Sequence, residues 1–237
     1  MIVNYTESGW QIITQRSHSL LAAQICGHWK KDNQPSRWVD TLIATAEHDD
    51  VYNEFVNDNL LNDKGGPVNF KNTDFELPYA ERLIAMAETK SAYIALLVSR
   101  HIQFLYNNNP KAEQYIRNLK IKEKSWLKFA GTTNGEINRS YKLLEFCDAF
   151  SLLICQGLVP PEQRKIEISS GPDGSVYEMH SQGKRLIVAP WPFETSRFFA
   201  TYESRTLSAL TFQDTADFRQ AVEEAETVTH LIEIAGN

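Results

Sequence analysis

The strongest constraint on this chain is a change in the spacing of its apolar residues, from every second position to helical spacing and back. Over residues 1–15, Ile2, Tyr5, Trp10 and Ile12 alternate with polar positions around Glu7-Ser8-Gly9, the pattern of two short strands joined at a glycine turn. From Ser17, read as an N-cap, Leu20, Leu21, Ile25 and Trp29 fall on one helical face. A second amphipathic helix follows Ser36 through Trp38, Val39, Leu42, Ile43 and Ala46, with Glu47-His48-Asp49-Asp50 near its end. Residues 57–75 are rich in Asn, Asp, Gly and Pro and read as a loop. Helical spacing returns from Pro78 to Asn107, from Pro110 to about Gly131, and in Leu143, Leu144, Cys147, Phe150 and Leu153 up to Gly157.

After Pro160-Pro161 the period falls back to two, in runs at Ile166–Ile168, Val176–Met179, Arg185–Val188 and Phe198–Tyr202. A short acidic helix over 213–226 and a closing strand at Thr229–Ile234 complete the reading. The expected architecture is α+β, mainly α. A helical bundle over 16–158 carries a small antiparallel β layer, built from the N-terminal hairpin at 1–15 and a β-rich segment at 159–237. At 237 residues such a core needs no disulfide. Cys26, Cys147 and Cys155, an odd set in apolar surroundings, read as buried thiols of a cytoplasmic protein. No signal peptide is expected, and charges such as Glu145 and Asp148 break every long apolar stretch, which argues against a membrane partner. With 24 Lys and Arg against 30 Asp and Glu the net charge is -6, which disfavours nucleic acid and points to a small-molecule substrate.

Chemistry enters with four residues. His18 opens the first helix, His48 and Asp49 are adjacent late in the second, and Asp148 lies mid-helix in Leu144-Glu145-Phe146-Cys147-Asp148-Ala149-Phe150. Imidazoles and carboxylates are the ligands of hard and borderline divalent metals, and an antiparallel set of helices can bring these four together. Asp148 says most, because an aspartate among such apolar neighbours needs a partner for its charge. Taken singly, each has an ordinary explanation: a helix-terminal histidine, an unspecific dipeptide, and an aspartate hydrogen-bonded to a neighbouring helix. Gly65-Gly66-Pro67 lacks the ending of a phosphate loop and reads as a turn.

In this order of residues the chain resembles the HD-domain superfamily of metal-dependent phosphohydrolases, over roughly residues 15–157. The resemblance implies an HD-like helical bundle, one divalent metal (Mn, Zn, Mg, Fe or Ni) held by His18, His48, Asp49 and Asp148, and hydrolysis of a phosphoester by metal-activated water. Only His101 is available where several HD enzymes carry further histidines, which argues against a second metal. The basic residue often found just after the His-Asp pair is missing, so Arg16 or Arg100 would meet the phosphate. Glu47 or Asp50 would orient the water, and His101 would protonate the leaving group. Arg100-His101 is equally an exposed arginine beside a core-facing histidine. Through Glu47-His48-Asp49-Asp50, Gly66-Pro67-Val68-Asn69-Phe70 and Leu97-Val98-Ser99-Arg100-His101 the whole chain also resembles a bacterial family recorded as domain of unknown function 3891. Two alternatives stand beside a phosphohydrolase: an HD-like ligand-binding or regulatory module without turnover, and an interaction protein that self-associates as a homo-oligomer through its β layer.

Overall fold

Gly9 makes the first turn. The computed structural model describes residues 1–57, 59–162 and 164–236. It opens with β1 (Ile2–Thr6) and β2 (Gly9–Ile13), paired antiparallel with Thr6 opposite Gly9. Gly9 has φ +118°, and a Cβ there would stand 2.0 Å from the Leu207 carbonyl oxygen, so only glycine permits both the turn and the close approach of the neighbouring strand.

Six helices follow: α1 (Gln15–Gly27), α2 (Trp38–Glu47), α3 (Leu77–Glu88), α4 (Ala92–Tyr106), α5 (Glu113–Ala130) and α6 (Asn134–Cys155). The cap of α1 is Thr14, whose hydroxyl accepts from Ser17 N; Ser17, expected as the cap, already lies inside the helix. A capping box of Thr133 and Glu136 starts α6. The remaining elements are β3 (Ile166–Ser170), β4 (Val176–Gln182), β5 (Arg185–Ala189), β6 (Arg197–Leu207), α7 (Thr215–Glu224) and β7 (Thr227–Ala235).

The expectation of a helical bundle with a small antiparallel β layer is corrected here. All seven strands join in one curled mixed sheet of order β1-β2-β6-β7-β5-β4-β3, a second major layer in the fold. It is mixed because β7 inserts between β6 and β5, running antiparallel to the first and parallel to the second. β6 is 11 residues long, twice the apolar run that marked it in the sequence, because Ser204 and Arg205 continue the ladder with polar side chains.

The sheet and the helices enclose two main apolar cores. In the first, Leu21, Ile25 and Trp29 of the α1 region and Phe146 and Phe150 of α6 meet Met179, Val188, Phe198 and Ile234 of the sheet. The second gathers α3, α4 and α5 around Tyr93, Leu97, Trp126, Ile137 and Leu144. Helix α6 belongs to both, which is why it is buried on most sides from Ser140 to Cys155, while its first turns, with Asn134, Glu136, Asn138 and Arg139, stay exposed. No helix among the described residues is long and apolar enough to cross a membrane.

Phe146 packs edge-on against Trp29 and Tyr177 at ring separations of 5.4 and 5.0 Å and is fully buried. Phe146→Ala should therefore cost about 3–5 kcal/mol in urea unfolding. Phe129→Ala, at a position 78% exposed, should stay within about 0.5 kcal/mol of the parent protein.

Candidate metal centre

Helical periodicity decides which side chains meet at the junction of the two cores. On α1, His18 shares a buried face with Leu21, Ala22 and Ile25. At the end of α2, His48 continues the buried series Thr41, Ala44, Thr45 and occupies the C-cap. On α6, Asp148 lies on the same side as Leu144 and Ser151, and on α4, His101 follows Leu97 and Val98.

His18 Nε2 is 3.2 Å from Asp49 Oδ2 and 3.8 Å from Asp148 Oδ1, and His48 Nε2 is 3.7 and 3.3 Å from the same two atoms. Two nitrogens and two carboxylates thus alternate through four short contacts, and their donors fall into two close groups that share His48, the first being His18, His48 and Asp49. About a metal with ligand bonds near 2.1 Å, tetrahedral ligands stand about 3.4 Å from one another, close to these four spacings. His101 joins from the side, its ring centroid 4.9 Å from that of His48, and its donor forms a second close group with His48 and Asp148.

The outer atoms of the rings fix where their protons sit. Ser151 Oγ donates its single proton to the Asp148 carbonyl at 2.9 Å, so it accepts from His18 Nδ1 at 2.8 Å. His48 Nδ1 can only donate to the Thr45 carbonyl, at 2.8 Å. In their neutral forms both imidazoles therefore turn an Nε2 lone pair toward the two carboxylates, the arrangement in which outer partners hold histidines for a metal. Although close to Asp148, His48 Nε2 lies outside the geometry of a hydrogen bond and is a buried nitrogen without a hydrogen-bond partner. Gln15 Nε2 donates to Asp49 Oδ2 at 2.9 Å and holds that carboxylate in place. Two carboxylates facing two neutral imidazoles carry a charge of about -2, which one divalent cation cancels.

Without a cation, protons take over that role. Burial disfavours a charged His48, but the Asp49 and Asp148 carboxylates outweigh it and raise its pKa to about 9. Burial and the positive charge of His48 lower His101 to about 4. Asp49 and Asp148 are pushed up by burial and held below the usual carboxylate range by the imidazoles, His48 foremost.

A chamber of about 240 Å³ opens onto the carboxylates, His101 and Gln15, with Tyr52, Tyr106, Phe70, Leu105 and Leu152 as walls and Lys71 and Thr73 among its lining. The structure does not bring Glu47, Asp50 or Arg100 to it. Glu47 precedes His48 by one position, about 100° around the helix, and pairs with Lys90 at 2.9 Å. Asp50 lies beyond the end of α2 and pairs with Arg16 at 3.0 Å. Arg100, one position before the inward His101, turns to Glu123 at 3.2 Å and Asn134 at 2.8 Å. Sequence reasoning missed Gln15, Ser151, Tyr52, Tyr106 and Lys71; of these, only Ser151, one turn beyond Asp148, carried a signal in its spacing.

A family model described as Protein of unknown function (DUF3891) matches residues 1–209. The chain belongs to this family. No curated protein and no solved structure matches the chain. The DUF3891 match runs from β1 to just past the end of β6 and so contains His18, His48, Asp49, His101 and Asp148, while α7 and β7 lie outside it.

These shifts set how the metal-free protein responds to pH. His48 is raised above its ordinary 6.5, so the stability it contributes is full below about pH 6.5 and lost as pH rises through about 9. His101 is lowered from 6.5, so its contribution is full above about pH 6.5 and lost as pH falls through about 4. In chelator the protein should be most stable near pH 6.5. Urea midpoints across pH 4–9.5 check this: His48→Gln should flatten the alkaline limb and His101→Gln the acid limb, and parallel limbs in all three proteins would count against the assignment.

Proposed function

We infer that the chain is a metal-dependent hydrolase of small phosphoesters in which His18, His48, Asp49 and Asp148 hold one divalent cation. The observation that supports this most is the pair of imidazoles whose Nδ1 protons are committed outward, leaving two Nε2 atoms and two carboxylates 3.2–3.8 Å apart beside a chamber. The resemblance of this residue order to HD-domain phosphohydrolases supports the same reading as an analogy of site.

When bound, the cation would lower the pKa of water toward neutrality and so provide the nucleophile. The chain's own residues do the rest. Gln15 fixes one oxygen of Asp49, Thr45 and Ser151 fix the histidine tautomers, and Phe70, Leu105 and Leu152 make an apolar wall that limits water. His101 Nδ1 lies 3.5 Å from Tyr141 Oη, and when that hydroxyl donates to it the Nε2–H is left to hydrogen-bond a substrate oxygen as a neutral donor; lowered to about 4, the ring is not charged for the general-acid role. Two imidazoles with two carboxylates favour Mn²⁺, Fe²⁺, Ni²⁺ or Zn²⁺ over Mg²⁺, which prefers an all-oxygen shell.

Thermal melts of the wild type and Asp148→Asn test the reading. The substitution keeps size and hydrogen-bonding capacity but removes a charge. At a hundredfold excess of Mn²⁺ over Kd the wild type should gain about 2.7 kcal/mol, a rise of a few degrees in Tm, relative to chelator. Asp148→Asn should lose most of that gain together with hydrolysis of phenyl phosphate. Equal destabilisation with and without metal would identify Asp148 as purely structural and end the proposal.

A further inference from the structure

An anionic substrate in this chamber needs a positive charge beyond the metal. The two carboxylates of the floor already balance a divalent cation, and a phosphomonoester adds up to two negative charges in a chain whose net charge is -6. Arg16 and Arg100, the cations that sequence reasoning offers, are held by Asp50 and Glu123. Among the residues lining the chamber there is a single Lys or Arg side chain, Lys71. It is exposed. It takes part in none of the ion pairs of the described residues, which is also true of Lys30, Lys31, Lys64, Lys120, Lys124, Lys128 and Lys184; what singles it out is its place in the lining of the chamber.

The backbone carrying Lys71 is fixed. Its backbone N–H donates to Asn69 Oδ1, the Asn69 side-chain Nδ2 donates to the Val3 carbonyl at 2.8 Å, and Phe70 N donates to the Met1 carbonyl at 2.8 Å. The short 3-10 turn Phe70–Asn72 is thereby pinned to β1 at the edge of the metal centre. Beside it, Tyr52 and Tyr106 place their hydroxyls 3.4 Å apart; one donates to the other, which leaves one phenolic proton free for an incoming oxygen.

We propose that Lys71 is the substrate-recognition cation of this site, binding the non-bridging oxygens of a small phosphomonoester whose organic group packs against Phe70, Leu105 and Leu152. The proposal rests on the hydrolase reading and names its substrate class. A chamber of about 240 Å³ has room for one compact group. The apolar wall favours a short hydrophobic or aromatic group over a sugar or polyol. Lys71 is contributed by the loop between α2 and α3, a positioning that leaves the α2 end free for its own ion pairs.

Inorganic phosphate titrated calorimetrically into the Mn²⁺-loaded full chain tests this, together with KM and kcat for phenyl phosphate. Lys71→Met should weaken phosphate binding about tenfold and raise KM to match, the size expected for a charged hydrogen bond, while Lys71→Arg should retain most of the affinity. Mn²⁺ affinity and Tm should be the same in all three proteins, since the side chain is exposed and outside the ligand set. If Lys71→Met binds phosphate like the wild type, the role of Lys71 is overturned and the hydrolase reading stands. If the wild type binds Mn²⁺ but neither binds phosphate nor cleaves phenyl phosphate, the hydrolase reading falls and this inference with it.

Discussion

Two carboxylates buried at the junction of two apolar cores are the constraint around which the structure is arranged. Asp49 and Asp148 are 7% and 6% exposed, and a carboxylate taken so far from water carries a desolvation cost of several kcal/mol unless a positive charge or strong donors meet it. The partners here are the imidazoles of His18 and His48 and the Gln15 amide. Imidazole differs from Lys or Arg in that it can give up its proton and remain as a ligand, so under the proposed function the same four side chains would be met by a proton in the metal-free protein and by a cation in the loaded one.

The rest of the fold serves this junction by holding helices at fixed angles to it. Helix α6 carries Asp148 and Ser151 and lies in both cores, so the sheet anchors one side of it through Phe146 and Phe150 and the α3–α5 layer anchors the other through Leu144 and Tyr141. Helix α1 is tied to the sheet where Ser17 Oγ donates to the Glu203 carbonyl and accepts from Glu203 N, and where Gln24 bonds the backbone of Thr201. His18, one residue from Ser17, is in this way referred to β6. The sheet places no side chain in the metal centre; its contribution is positional.

What could be read in the sequence follows the range of each interaction. The hairpin was legible because Gly9 and the flanking alternation are local, and the approach of His18, His48, Asp49 and Asp148 was legible because a carboxylate on an apolar helix demands a partner that an antiparallel neighbour can supply. The size of the sheet was not legible. β2 pairs with β6 across almost 200 residues, and nothing local to β7 announces its insertion beside β5. The orientation of Glu47 and Arg100 was missed for a different reason: each is a helical neighbour about 100° away from the inward His48 or His101, while Asp50, beyond the end of α2, is held by Arg16.

The proposed role of Lys71 illustrates why loops hide function from periodicity. The segment between α2 and α3 has no repeating apolar face, yet Asn69, Phe70 and the backbone of β1 fix it against the cluster. Its Lys71 is among the residues lining a chamber whose floor is acidic and whose walls are apolar and phenolic. Under the proposed function, a rigid helical centre would hold the metal ligands and an irregular segment would supply the charge facing a substrate, which separates two demands on one site. The first requires sub-ångström spacing and burial, which packed helices provide. The second requires an exposed, hydrated ammonium that can turn toward an incoming oxyanion, and a pinned turn at the chamber's edge provides it without bringing a further charge into the core.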